Sequence, residues 1–317
     1  MLDKQNETSN NFLDRIILIP YANKDNANTG VNIKDNSGRI DLYLKNCCVA
    51  LASARYYNPD CDVALATNID VPSEYLKFLN ENTIKITKIA FENFTFEDQY
   101  LWNLAFYKLC VIDYVVKNYN YKYVSYMDSD VYVQSSFENI WKECNYSILL
   151  YDINHGLQVR DYRLIVEEFK SFTGEDKLIT HYGGEFFASN RENAKIFIEK
   201  CKNIYNKMIE QDFETTKGDE FILSLAASQT KELVKNAGPY IFRFWTSGFR
   251  LVSTCYINNQ VTVLHVPAEK ESGMLKIYKK YIVKNKIPSN SKVYRLLRID
   301  RIPLSLRLKL IVKKLLK

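Results

Sequence analysis

The segment YVSYMDSDVYV, residues 123–133, brings an apolar, aromatic run to its end on Asp128 and Asp130, with only Ser129 between them. A run of that composition reads as a buried strand. Two carboxylates one residue apart at its end can be presented to a single hard cation, and oxygen ligands suit Mg2+ or Mn2+ rather than zinc. A cation held there would neutralise a diphosphate. An isolated Asp-x-Asp more often caps a helix or sits solvated in a loop, but its place directly after a buried strand favours the metal reading.

Outward from this point the chain alternates between strand and helix patterns. Ile16, Ile17, Leu18 and Ile19, closed by Pro20, form a short β-branched run; residues 41–56 repeat at helical spacing; VALAT, residues 63–67, is a second buried strand. Residues 84–89 alternate like a strand, and residues 101–119 read as an apolar helix leading into the Asp-x-Asp strand. Residues 147–152 and 261–266 read as further strands, and residues 190–209 and 219–235 as helices. This order predicts an α/β architecture, a mixed and mostly parallel Rossmann-like sheet flanked by helices on both faces. Ligands of such sheets bind beyond the carboxyl ends of the strands, so the chemistry belongs to residues that close strands. With neither a repeat nor a low-complexity linker, residues 13–270 read as one domain.

With 47% hydrophobic residues and only 10 Gly and 7 Pro in 317, the chain is not collagen-like, low-complexity or disordered. Its net charge of +6 is unevenly spread. Residues 274–317 hold fourteen Lys and Arg against the single acid Asp300, which leaves 29 bases and 36 acids for residues 1–273. A nucleic-acid binder would spread its basic surface over the folded body, so nucleic acid is not the expected partner. In the tail, PLSLRLKLIVKKLLK, residues 303–317, puts Leu304, Leu308, Ile311, Val312 and Leu315 on one helical face, with Leu306 and Leu310 off it. It reads either as a terminal helix docked on the body or as a helix lying on an anionic membrane surface. Seven scattered Cys, with Cys47 and Cys48 adjacent, form neither a zinc pattern nor an even disulfide framework. Together with a polar, charged opening unlike a signal peptide, this predicts a cytoplasmic protein, with the tail able to hold it at the cytoplasmic membrane face.

Three further segments carry candidate chemistry. HYGGEFFASN, residues 181–190, sets Gly183 beside Gly184, as an ordinary turn or as backbone that lets a ligand approach closely. KGDEFILSLAA, residues 217–227, opens an apolar helix with Asp219 and Glu220, which would also serve the helix dipole. VTVLHV closes on His265, one of three histidines, either a satisfied core residue or a metal ligand. Tyr240, Arg243 and Trp245 could form an acceptor platform or belong to the core, and Asp152 and His155 follow a strand where an acceptor could lie.

The order of these motifs, strand-DSD, YGG, GDE and strand-His, resembles the GT-A glycosyltransferases. It is similar to the retaining glycogenin-like and lipooligosaccharide galactosyltransferase families and to the blood-group type α-galactosyltransferases, over roughly residues 14–270. The resemblance implies that Asp128, Asp130 and His265 hold Mn2+ (or Mg2+) against the diphosphate of a donor, a UDP-sugar. It assigns donor contacts to Tyr107, Lys108, Ser129, Tyr182, Gly183 and Gly184, and by position to Ile19, Pro20 and Tyr21 on the first strand. Asp219 and Glu220 match the acidic pair beside the reacting carbon. The glycogenin-like pattern follows its histidine with Gly and Lys-Pro-Trp, whereas HVPAEKESG leaves only Lys270 for the phosphates. The implied activity is sugar transfer with retention to a saccharide or lipid-linked glycan, in cell-surface glycan assembly. Two alternatives stay open: an inactive sugar-nucleotide or glycan binding protein, and a haloacid-dehalogenase type phosphatase. The phosphatase would need a Ser or Thr where Tyr132 stands and an earlier first aspartate.

Overall fold

The computed structural model describes residues 14–24, 38–153, 159–246, 260–300 and 304–315. His155 lies outside them. The strands are β1 Arg15–Tyr21, β2 Asp62–Thr67, β3 Lys85–Lys88, β4 Tyr123–Met127, β5 Val131–Val133, β6 Ile148–Asp152, β7 Tyr182–Asn190, β8 Val234–Asn236, β9 Ile241–Arg243 and β10 Val263–His265. The helices are α1 Arg39–Tyr57, α2 Ser73–Glu81, α3 Tyr107–Asn118, α4 Glu138–Cys144, α5 Val159–Thr173, α6 Arg191–Glu210, α7 Asp219–Gln229, α8 Leu275–Lys280, α9 Asn290–Leu296 and α10 Leu304–Leu315.

Seven strands form one sheet in the order β3-β2-β1-β4-β7-β6-β8, and β5, β10 and β9 form a small second sheet. The first four are parallel; β7 runs antiparallel between β4 and β6. This is the mixed, mostly parallel sheet expected. β1 shows why its run is apolar throughout. Ile17 and Ile19 enter a core shared with α1, while Ile16 and Leu18 enter another shared with α3, α6 and α7. Side chains alternate between faces, and both faces are covered.

β1 has β2 on one side and β4 on the other, so the sheet's order reverses there, and ligands of such sheets bind beyond the carboxyl ends of the strands at that point. Because β7 is antiparallel to β4, its first residues lie at that same edge, with Met127 opposite Phe186. The small sheet completes the edge: His265 pairs with Val131 of β5 and with Arg243 of β9.

Two elements differ from their sequence reading. The pair Gly183–Gly184 opens a nine-residue strand rather than a turn, and its start is irregular: the β6–β7 register shifts between Leu150 and Tyr151. A bulge of this kind re-aims side chains beside a site. The helix expected over residues 219–235 stops at Gln229, where the Thr230 hydroxyl donates to Ala226 O and the following chain becomes edge strand β8, parallel to β6.

The segment after His265 divides. Met274, Ile277, Ile282, Val293, Leu297 and Ile299 are buried in the same core as β1 and α1. Beyond them α10 leaves Leu304, Leu308, Ile311, Val312 and Leu315 exposed. No helix among the described residues is long and apolar enough to cross a membrane. The six cysteines among them, Cys47, Cys48, Cys61, Cys110, Cys144 and Cys201, are buried free thiols.

Candidate active site

The turn after β4 is held on both sides. Asp128 N donates to Glu185 O at 3.0 Å on β7, and Val266 N donates to Asp130 O at 3.0 Å after β10. This fixes the aspartates against His265, and one ligand atom from each of Asp128, Asp130 and His265 falls within 4.8 Å of the others. His265 Nε2 lies 3.3 Å from Asp130 Oδ2 and 3.9 Å from Asp128 Oδ2. Asp130 is buried, whereas the Asp128 side chain is 30% exposed.

Two lysines flank the cluster. Lys108, in the first turn of α3, places Nζ 3.1 Å from Asp128 Oδ1 and 2.9 Å from Asp219 Oδ2. Lys270 places Nζ 2.9 Å from Asp130 Oδ2. Each buried ammonium is thus balanced by a carboxylate, as burial requires. Burial opposes the charge of Lys108, Lys270 and Asp130, but the opposite partners outweigh it: both lysines are raised and Asp130 is held well below the usual carboxylate range. Burial likewise opposes the His265 cation, yet Asp130 and Glu185 push it up to about 9. Acids thus lie on both sides of His265, with Asp128 and Asp130 against Nε2 and Glu185 against Nδ1. Two carboxylates and one imidazole suit Mn2+ or Mg2+, and Asp130 Oδ2, though buried, accepts no aligned hydrogen bond. The residues fit such an ion.

Asp219 and Glu220 open α7. They are delivered there by Gly218, whose φ of 60° and ψ of −140° belong to a region essentially reserved for glycine, and a Cβ on it would lie 2.8 Å from Trp102 Cβ. The two acids differ in kind. Burial pushes Asp219 up to about 7 despite Lys108. Burial acts the same way on Glu220, but His181 and Arg243 prevail and lower it. His181 Nε2 lies 3.1 Å from Glu220 Oε2, and Arg243 Nη2 donates to Glu220 Oε1 at 3.1 Å. Neighbouring acids driven apart in this way can take separate roles.

The glycines of β7 make room for these ion pairs. A Cβ on Gly184 would lie 2.1 Å from Asp219 Oδ2 and 2.7 Å from Lys108 Nζ, and one on Gly183 would lie 1.9 Å from Glu185 Oε2. Between the aspartates Ser129 is nearly buried. Tyr182 is partly buried and pairs with Asp152, which closes β6 at the same edge.

Other residues singled out from the sequence are placed differently. Tyr107 is buried and its hydroxyl donates to Ile89 O at 3.0 Å, so it belongs to the core beneath the cleft while its neighbour Lys108 reaches the acids. Ile19 is fully buried. Pro20 is partly buried at the end of β1, and Tyr21 stacks on Tyr43 at 5.7 Å between ring centroids. Arg243 is engaged by Glu185 and Glu220 rather than offered to solvent as an acceptor contact, and Trp245 is partly buried nearby in sequence. Two residues not singled out from the sequence join the site: Glu185, wholly buried, and His181.

No known family profile matches the chain by sequence, and no curated protein does. Solved structures do match. WbbM, a bifunctional glycosyltransferase, superposes with a TM-score of 0.55 at 10% identity, over 89% of this chain and 51% of that one. The fold is that of the GT-A glycosyltransferases. Two more similar structures are mouse xyloside xylosyltransferase 1, with a TM-score of 0.49 at 11% identity over 79% of this chain and 96% of that one, and the galactosyltransferase LgtC in complex with donor and acceptor sugar analogs, with 0.48 at 16% over 79% and 86%. In this GT-A fold the Asp128–Asp130–His265 cluster lies at the carboxyl end of β4, where the order of strands places the ligand crevice.

Proposed function

We propose that the chain is a metal-dependent glycosyltransferase that moves a sugar from a nucleotide diphosphate sugar, a UDP-sugar, to a hydroxyl of a saccharide or lipid-linked glycan, with retention, in cell-surface glycan assembly. The observation that carries this reading is the convergence of Asp128, Asp130 and His265 at the switch point, with Lys108 and Lys270 against the same carboxylates.

Asp128, Asp130 and His265 would hold a divalent ion, which would supply Lewis acidity to a leaving diphosphate, where charge develops in the transition state. Lys108 and Lys270 provide ammonium groups for the same phosphates. Glu220, ionised, bonded to Arg243 and with His181 close by, is the group assigned to the anomeric carbon, as nucleophile or as electrostatic support for an oxocarbenium-like centre. Asp219, raised towards neutrality and anchored on Lys108, is assigned to orient the donor sugar's hydroxyls.

Purified protein screened with nucleotide sugars should hydrolyse or transfer one of them only with Mn2+ or Mg2+ present, and the anomeric configuration of the product should equal that of the donor by NMR. Full turnover in EDTA would remove the metal-dependent reading, and binding of a nucleotide sugar without turnover would favour the inactive binding protein.

The membrane proposal rests on α10, whose Leu304, Leu308, Ile311, Val312 and Leu315 are exposed and whose sequence is basic. Its test must spare residues 274–299, because each fully buried apolar side chain there contributes about 1.5–3 kcal/mol. A chain ending at residue 302 should fold and keep soluble-donor turnover yet no longer sediment with liposomes rich in phosphatidylglycerol. Sedimentation equal to the full chain's would end this proposal.

A further inference from the structure

Glu185 has no place in the sequence motifs, yet it is the most deeply buried charge at the site, with a side chain 0% exposed. Burying a lone carboxylate costs several kcal/mol, so its surroundings must balance it. They do so with two donors, a guanidinium and an imidazole, that belong to two different parts of the site. Arg243 grips it with both ends of its fork, Nε to Oε1 at 2.6 Å and Nη2 to Oε2 at 2.6 Å. His265 Nδ1 lies 3.2 Å from Oε1. An ionised carboxylate can only accept, so Nδ1 carries the hydrogen, and Nε2 is the nitrogen turned to Asp130 and Asp128. Arg243 Nη2 is shared, since it also donates to Glu220 Oε1 at 3.1 Å.

We propose that Glu185 is a positioning residue that joins the metal-binding and sugar-facing halves of the site. It fixes the ring and tautomer of His265 so that Nε2 meets the ion. Through Arg243 it also sets where the Glu220 carboxylate stands. Metal-bound histidines are commonly held in this way by an outer carboxylate. Here the same carboxylate reaches a second acid through a guanidinium. Gly183 supports the assignment independently, because a Cβ there would sit 1.9 Å from Glu185 Oε2 and 2.7 Å from Arg243 Nη2. Any larger residue at that position would displace this ion pair. Glu185 lies in the stretch of β7 where its pairing with β6 changes register, between Gly183 and Phe187.

The inference rests on the metal reading of Asp128, Asp130 and His265, and the test separates the two. Mn2+ binding to full-length protein is measured from the electron paramagnetic resonance signal of free Mn2+, for wild type, Glu185→Gln, Glu185→Asp and Asp130→Asn. Glu185→Gln should weaken Mn2+ binding about 10–100-fold, the usual effect of removing an outer-shell partner, and Glu185→Asp should recover part of it. At saturating Mn2+, Glu185→Gln should still show a lowered kcat with KM for the donor little changed. Wild-type Mn2+ affinity in Glu185→Gln would overturn the inference. Wild-type affinity in Asp130→Asn would overturn the metal reading itself. Should Glu185→Gln not fold, nitrogen-15 NMR of the wild-type protein with Mg2+ decides: a protonated Nδ1 on His265 supports the assignment, and a bare Nδ1 overturns it.

Discussion

Asp130→Asn should abolish metal-dependent turnover while leaving the fold intact. The substitution keeps the shape and one acceptor oxygen but removes the charge that Lys270 meets at 2.9 Å and His265 at 3.3 Å. Lewis-acid stabilisation of a leaving diphosphate is worth several kcal/mol, and each 1.4 kcal/mol is tenfold in rate, so kcat/KM should fall by about 1000-fold or more. The asparagine is preferred to alanine because its amide oxygen can still accept from Lys270, whereas truncation would add a cavity to the loss of charge. Removing the charged partner of a buried ion pair costs about 3–5 kcal/mol where nothing polar replaces it, and the activity loss of an alanine variant would then be confounded with unfolding. Thermal melting with and without Mn2+ provides the control: wild type should gain stability from the ion, and Asp130→Asn should gain little. A variant that turns over as fast as wild type, with the same Mn2+ requirement, would place the ion elsewhere.

Glu220→Gln should lower kcat with little change in KM for the donor. The amide retains the volume, and its oxygen can still accept from Arg243 Nη2, but the negative charge is gone. If Glu220 supports positive charge on the anomeric carbon, the loss should be about 100- to 1000-fold in kcat, the worth of one preorganised electrostatic contact. If it is the nucleophile, turnover should be lost almost completely. Steady-state kinetics on the same donor separates the two outcomes, and unchanged kcat would take Glu220 away from the reacting centre. Asp219→Asn should act differently, because its partner Lys108 is shared with Asp128 at 3.1 Å. Its effect should include weaker donor binding.

The residues readable in advance were those with a local signature. Asp128, Asp130 and His265 close apolar strands, and the closing position follows from hydrophobic patterning alone. Asp219 and Glu220 open a helix after a glycine, and Lys108 lies at the start of another. Glu185 and His181 were harder to see because their roles depend on pairing between distant strands. Only the antiparallel insertion of β7 beside β4, with its irregular start, sets Glu185 against His265 and Arg243. One signal was available: Glu185 is the sole charge in an otherwise apolar run, and such a residue must be paid for by a partner somewhere. Tyr107 presents the reverse case. An aromatic beside a lysine at the site looks like a ligand contact, yet on a helix adjacent residues face different ways, and the Tyr107 hydroxyl meets Ile89 O in the core. Residues 274–299 looked like part of a basic appendage because charge dominates their composition, while their few apolar side chains are what bury them in the body.

The buried thiols have a practical consequence. Burial pushes Cys61 up to about 12 and raises the other five described cysteines too, so almost no reactive thiolate exists among these six in the native state. Cys47, Cys48, Cys61 and Cys144 line the core on one side of the sheet, and Cys110 and Cys201 that on the other. Maleimide capture at these positions therefore reports opening of each hydrophobic layer separately, with no engineered label.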